Sequence, residues 1–291
     1  MLLAAEKATA LVFPNSADIQ AIVKLALNED IGRGDITTEA TVAPETRATA
    51  DILQKAKGVL CGLPVMEAVF QQLDPRVTVT RLAEEGSYGD RRGVAHLAGP
   101  AGAILSGERT ALNFIQRLSG IATASRRAME LVAHTSARVI DTRKTTPGHR
   151  VLEKYAVRVG GASNHRAGLD DGFLIKENHI RAAGGIIRAV TAAHKRAAPG
   201  QVVEVEVTTL EELDEALLAG ATLILLDNFT SAGLREAVRA TNGRARLEAS
   251  GGITLNNLVE TAETGVDFIS LGALTHSAGV LDFSLDLEVR P

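Results

Sequence analysis

Two different patterns of hydrophobic and polar positions divide the chain near residue 120. In the first part no pattern repeats. Apolar residues at helical spacing run from Ala17 to Leu27, and a polar, Gly-rich stretch follows, EDIGRGDITTEA (29–40). Strand-like runs then occupy Arg47–Gln54, Gly58–Cys61, Val77–Arg81 and Gly93–Leu97. Helical spacing returns after Gly99-Pro100, where Ile104, Leu105, Glu108, Leu112, Ile115 and Leu118 place the apolar residues on one face. Strands bracketed by helices in this way predict an α+β domain over residues 1–120.

From about Ile121 short apolar runs alternate with amphipathic ones. The runs are Arg138–Asp141, Gly172–Ile175, Val202–Val207, Thr222–Leu226, Arg246–Ala249 and Phe268–Leu271. Leu210–Leu218 and Leu255–Ala262 are typical of the helical stretches between them. This alternation is the mark of parallel strands joined by crossover helices. Six strands, with a weak seventh, are too few for a complete eight-stranded barrel and enough for an open one over 121–276.

Chemistry-bearing residues stand at the C-terminal edges of these strands: Asp141-Thr142-Arg143-Lys144, Lys176-Glu-Asn-His, Glu206, Asp227-Asn228, Ser250-Gly251-Gly252 and Ser270-Leu271-Gly272. In α/β barrels that edge carries the active site, whereas a chance arrangement would scatter charge over both ends.

Composition narrows the options. The 291 residues suffice for one large α/β barrel or two ordinary domains. Aromatics make up only 3% and Trp is absent, so the core rests on Ala, Val, Leu and Ile, and base-stacking platforms are disfavoured. A formal net charge of −4 gives no global attraction to nucleic acid or anionic membrane. A single cysteine, Cys61, forms no internal disulfide, and no Cys/His cluster suggests zinc. Glu6 and Lys7 interrupt the stretch that would have to be the apolar part of a signal peptide. With no apolar window of about 18 residues for a membrane span, the expectation is a cytoplasmic protein.

The charge is unevenly spread. Residues 142–181 hold eight Lys/Arg against four acids, a local excess of +4 inside an acidic chain. Arg143, Lys144, His165, Arg166 and Lys176 lie at or near strand ends, and clustering them costs repulsion that a bound polyanion would relieve. Any one of them alone would read as a solvated surface group, and a lone His as a structural one. Glu206 and Asp227 close two strongly apolar strands. Carboxylates on adjacent strand ends can hold ribose hydroxyls or Mg²⁺, directly or through water, and can equally pair with the barrel's own cations. Glu204 shares a face with Glu206, one step deeper along the strand. The glycines of EASGGI (248–253) and SLGAL (270–274) let backbone approach a ligand, where complete barrels often place a phosphate site; ordinary tight turns would use them too. These residues suit a substrate with several negative charges and a sugar phosphate, without specifying the reaction.

Seven motifs together resemble the quinolinate phosphoribosyltransferase family, also called nicotinate-nucleotide pyrophosphorylase (carboxylating). They are EDIGRGDITTE, GERTALNF (107–114), DTRKTTPG (141–148), KYAVRVGGASNHR (154–166), LIKENHI (174–180), LEASGGI (247–253) and ISLGALTHS (269–277). The resemblance implies an α/β sandwich joined to an open barrel of about seven strands, with segment 277–291 returning to the first domain. It implies a pentosyltransferase that converts quinolinate and 5-phosphoribosyl 1-pyrophosphate to nicotinate mononucleotide, pyrophosphate and CO₂ with Mg²⁺, in de novo NAD biosynthesis. Arg143, His165, Arg166 and Lys176 would surround quinolinate, beside Thr142, with Lys144 between the two substrates. Glu206 and Asp227 would serve ribose and Mg²⁺. Ser250, Gly251 and Gly252, with Ser270, Leu271 and Gly272, would take the 5′-phosphate. Catalysis would fall to Lys144, Lys176, Glu206 and Asp227. Arg109 would reach the active site of a neighbouring subunit, making a homodimer the smallest competent unit. Competing readings are a molybdenum-transport-associated paralogue using another acceptor, a Schiff-base lyase working through Lys144 or Lys176, and a non-catalytic nucleotide-binding homologue.

Overall fold

The computed structural model describes residues 13–14 and 16–290. They form two compact units. Of the described residues, one unit comprises those up to 126, 146–161 and 277–290; the other comprises 127–145 and 162–276. No helix among the described residues is long and apolar enough to cross a membrane.

The first unit is built on strands β1 (Arg47–Gln54), β2 (Gly58–Val59), β3 (Thr78–Arg81), β4 (Tyr88–Gly89) and β5 (Arg92–Pro100). β5 and β3 pair antiparallel beside β1, and the last strand of the chain, Phe283–Arg290, pairs along the whole other edge of β1. The expected first helix spans Ser16–Ile31 and buries Ile19, Val23 and Leu27 at four-residue intervals, the spacing of one helical face. In the Gly-rich stretch after it, Asp35 caps a short helix, Ile36–Thr41. Its carboxylate accepts from the Thr38 N–H (3.0 Å), the Thr38 hydroxyl (2.6 Å) and the Ser106 hydroxyl (2.9 Å), which hold its pKa below the ordinary value.

The helix expected after Pro100 runs Ala101–Val132. Ile104, Leu112, Ile115 and Leu118 are buried on it, while Leu105, about 100° round the helix from Ile104, is half-buried. Helix Arg150–Val159 also belongs to this unit; its buried Glu153 is paired with Arg117 (2.8 Å) and with the Thr146 hydroxyl (2.8 Å).

The second unit holds β6 (Arg138–Ile140), β7 (Phe173–Ile175), β8 (Val203–Val207), β9 (Leu223–Asp227), β10 (Arg246–Ser250) and β11 (Phe268–Ser270), all parallel. Their spatial order is β6-β11-β10-β9-β8-β7. Chain order is kept from β7 to β11, and β6 returns beside β11, so the sheet wraps round as an open barrel. The weak seventh strand is a one-residue bridge: Ser163 donates its N–H to Val139 O (3.0 Å), and its carbonyl accepts from the Asp141 N–H (3.0 Å). Between the strands lie amphipathic helices such as Leu210–Leu218 and Ser231–Thr241, which bury Leu213, Ala216, Leu234 and Ala237. Parallel strands present one common C-terminal edge, and the expected site residues of this unit stand along it.

Candidate active site

At the end of β6 the Asp141 side chain is fully buried. It accepts from Asn164 Nδ2 and from the His165 N–H, both at 2.7 Å, and so fastens the segment 163–166 to the strand end. A buried carboxylate is tolerable only when hydrogen-bonded in this way. The loop then turns tightly: the Lys144 N–H donates to Thr142 Oγ1 (3.0 Å), and the Lys144 carbonyl accepts from the buried Thr275 hydroxyl (2.8 Å). The Lys144 stem passes over Gly272, where a Cβ would stand 3.3 Å from its Cδ.

His165 faces buried carboxylates. Its Nδ1 accepts from the Arg166 N–H (2.8 Å), so the ring proton resides on Nε2, which donates to Glu204 Oε2 (3.0 Å) and lies 3.6 Å from Glu248 Oε2. Glu248 in turn accepts from the Ser270 hydroxyl. Both glutamates are buried; burial pushes the Glu204 carboxyl up to about 7, and burial together with the charge of Glu204 holds Glu248 well above the ordinary range. Donor atoms of His165, Glu204 and Glu248 lie within 4.8 Å of one another, a spacing a metal ion could use. The acceptor role of Nδ1 opposes that use, because it leaves the proton on the nitrogen that faces the carboxylates. The trio is a hydrogen-bonded network beneath the site.

Arg166 donates from Nη1 to Gly172 O (2.9 Å), and burial followed by the positive charge of Arg143 depresses its pKa. Two guanidiniums are therefore held close enough to repel, the arrangement an anion would relieve. At the ends of β7 and β8, Lys176 Nζ is ion-paired with Glu206 Oε2. Of the two roles open to Glu206 from sequence, a partner for the barrel's own cation is the one it takes here. Asp227, at the end of β9, accepts from Asn228 Nδ2 (2.7 Å). Hydrogen bonds thus engage one oxygen each of Glu206 and Asp227, and the remaining oxygens on adjacent strand ends suit a hard, oxygen-seeking cation.

The two Gly-rich turns follow β10 and β11. Gly251 and Gly252 have φ of +92° and +61°, and a Cβ on Gly251 would lie 2.1 Å from Asn228 Oδ1. Glycine is required there both by conformation and by close approach. After β11, the Ser270 side chain is committed to Glu248 and the Leu271 N–H to Ile140 O (2.9 Å), and Gly272 leads into the short helix Ala273–His276. Arg109 is exposed on helix Ala101–Val132 in the other unit. Sequence reading placed Asp141 at a strand end without its anchoring role, and missed Asn164 and Glu248. The signal for Glu248 was a single acid inside the apolar strand RLEAS (246–250), in the same pattern as Glu204 in VEVEV (203–207).

Similarity to known proteins covers both units. Residues 35–119 match the family described as quinolinate phosphoribosyl transferase, N-terminal domain, and residues 121–286 match its C-terminal domain. A Bacillus subtilis protein named probable nicotinate-nucleotide pyrophosphorylase [carboxylating] is 44% identical over 276 residues, 94% of this chain and 95% of that one. The Mycobacterium leprae nicotinate-nucleotide pyrophosphorylase [carboxylating] is 42% identical, covering 91% and 95%. Among solved structures, the nicotinate-nucleotide pyrophosphorylase from Francisella tularensis superposes with a TM-score of 0.91 at 42% identity, over 96% of this chain and 99% of that one. With matches to both domains in order and nearly the whole length covered, the chain belongs to the quinolinate phosphoribosyltransferase family.

Proposed function

We propose that this protein makes nicotinate mononucleotide from quinolinate and 5-phosphoribosyl 1-pyrophosphate, releasing pyrophosphate and CO₂ in de novo NAD biosynthesis. The observation that carries this reading is the convergence of Arg143, Arg166 and Lys176 with two strand-end carboxylates and a Gly-rich turn along one edge of the parallel sheet. A dicarboxylate beside a phosphorylated sugar has the charge pattern that this edge complements. Family membership specifies the reaction.

Arg143, Arg166 and Lys176 bind the two quinolinate carboxylates, with Thr142 at the pocket edge and His165 behind it. Lys176 leaves Glu206 for the incoming anion, an exchange of one carboxylate for another with little net desolvation. Lys144 lies between the two substrates. Glu206 and Asp227 face the ribose hydroxyls, and they are the residues that would hold Mg²⁺, which when bound neutralises charge on the pyrophosphate. The turn Ser250–Gly252, with the backbone at Ser270, Leu271 and Gly272, receives the 5′-phosphate.

The bond from the anomeric carbon to pyrophosphate breaks as the quinolinate ring nitrogen bonds to that carbon. Cations aimed at the departing oxygens supply the electrostatic stabilisation, where one lost donor typically costs about 10²–10³ in rate. The ring is then a quaternary pyridinium. The bond to the 2-carboxylate breaks, CO₂ leaves, the electron pair stays at ring carbon 2 beside the positive nitrogen, and a proton is taken up there. No covalent enzyme intermediate is needed, so both lysines act as charges. Arg109 completes the site of a second copy in a homodimer, a reading supported by its exposure on a helix remote in sequence from the barrel residues.

The test is quinolinate labelled in its 2-carboxylate, incubated with phosphoribosyl pyrophosphate and Mg²⁺. Labelled CO₂ and nicotinate mononucleotide should appear in equal amounts. Folded protein that forms neither would refute the assignment, and turnover of another base in place of quinolinate would favour the paralogue.

A further inference from the structure

Three non-glycine residues among those described have positive φ: Arg91 (42°), Asn228 (59°) and Asn242 (47°). Arg91 lies in the tight turn between β4 and β5, and Asn242 caps the C-terminus of helix Ser231–Thr241, both ordinary places for a left-handed residue. Asn228 has no such excuse. It follows directly on the last residue of β9, where the chain would otherwise continue extended.

The conformation has a definite consequence. In a strand, successive side chains point to opposite faces. The left-handed turn at 228 instead brings its amide back onto the preceding side chain, and Asn228 Nδ2 donates to Asp227 Oδ2 at 2.7 Å. The same residue donates its N–H to Ser250 O at 2.9 Å, one step beyond the β9–β10 ladder. Its Oδ1 occupies the space that a side chain at Gly251 would need. Among the described residues, the Asn228 amide is the hydrogen-bond partner of the Asp227 carboxylate. Asparagine is the side chain that tolerates this backbone while offering a donor and an acceptor at once.

We propose that Asn228 is a positioning residue that locks the Asp227 carboxylate and the Ser250–Gly252 turn into one rigid unit for the phosphoribosyl end of the substrate. The inference rests on the proposed function, in which Asp227 faces the ribose and the turn receives the 5′-phosphate. It assigns to one side chain the task of holding those two groups at a fixed separation, a requirement for productive orientation.

Two variants separate the amide from the backbone. Asn228→Gly permits the left-handed turn without steric strain and removes the amide. Asn228→Asp keeps the shape and replaces the donor with an anion facing Asp227. Both should raise KM for phosphoribosyl pyrophosphate about tenfold or more, the scale of one hydrogen bond to a charged group. Both should also weaken metal-free binding of ribose 5-phosphate, measured by calorimetry, while the Kd for quinolinate stays within about twofold, as for sites that do not share partners. An Asn228→Gly protein with unchanged KM for phosphoribosyl pyrophosphate, or one that loses quinolinate binding to the same extent, would overturn the proposal. Failure of the parent protein to turn over the two substrates would instead sink the proposed function, and this inference with it.

Discussion

Lys176 Nζ and Glu206 Oε2 form an ion pair across the ends of β7 and β8, between residues 30 positions apart in sequence. The ammonium is half-exposed and the carboxylate largely buried, so the pair is modest in strength, worth about 1 kcal/mol or less. It nevertheless occupies the cation that the proposed reaction assigns to quinolinate.

Glu206→Gln should therefore free Lys176. Quinolinate alone should bind several-fold tighter to the variant, on the scale of about 1 kcal/mol, in calorimetry without the second substrate. Turnover should fall, by roughly 10²-fold, because the ribose carboxylate is gone. Weaker quinolinate binding by a correctly folded variant would show that Glu206 does not compete for Lys176.

The buried pair Glu204 and Glu248 predicts a pH effect. Glu248 ionises near 4.5 in an unfolded chain and well above that in the native state, where burial and Glu204 both oppose its charge while His165 and Ser270 favour it. Over the window above 4.5 the unfolded state binds fewer protons, so this residue's contribution to stability falls as pH rises. Glu248→Gln removes the titration. Denaturant melts should show little difference between variant and parent at about pH 4 and a growing advantage for the variant towards about pH 8. Parallel profiles at all pH values would mean that Glu248 does not hold a proton.

Arg109 offers a test of shared sites. In the proposed homodimer, the Arg109→Ala and Arg143→Ala proteins should each be inactive, with Arg143→Ala folded yet unable to bind quinolinate. If Arg109 acts across the dimer, mixing the two under subunit exchange recreates one complete site in each heterodimer. Activity should return to roughly a quarter of the parent value for random pairing in a twofold dimer. No recovery despite demonstrated exchange would place Arg109 in its own subunit's site or outside any site.

The two adjacent glycines should differ in tolerance. A methyl group at Gly251 meets Asn228 Oδ1 at 2.1 Å and its N at 2.9 Å, with φ at +92°. At Gly252 nothing lies within 4 Å, and only the +61° φ opposes a side chain. Gly251→Ala should cost about 2 kcal/mol or more, and Gly252→Ala about 1 kcal/mol. Equal losses in thermal melts would argue that the Asn228 contact is not close.

Much of this was legible along the chain because the patterns are local. All six barrel strands fall where apolar runs end in polar residues, since a buried parallel strand needs a near-continuous apolar run. The helix Leu63–Leu73 was missed: six of its eleven residues are buried, so it has little polar face to reveal a period. The surroundings of His165 were hidden for a different cause. Nothing local shows that its ring meets two glutamates from distant strands, with its other nitrogen closed by the next backbone N–H.

The sequence by itself determined which chemical groups stand at the ends of the strands, and through its motifs the family, because strand period and turn glycines are written residue by residue. Tertiary structure alone decided which of those groups touch. β6 lies beside β11, Lys176 meets Glu206, His165 meets Glu204 and Glu248, and Asn228 ties Asp227 to the turn after β10. Such partners come from different strands with helices between them, and their meeting depends on sheet order and register. Both are properties of long-range pairing and burial, which no local pattern encodes.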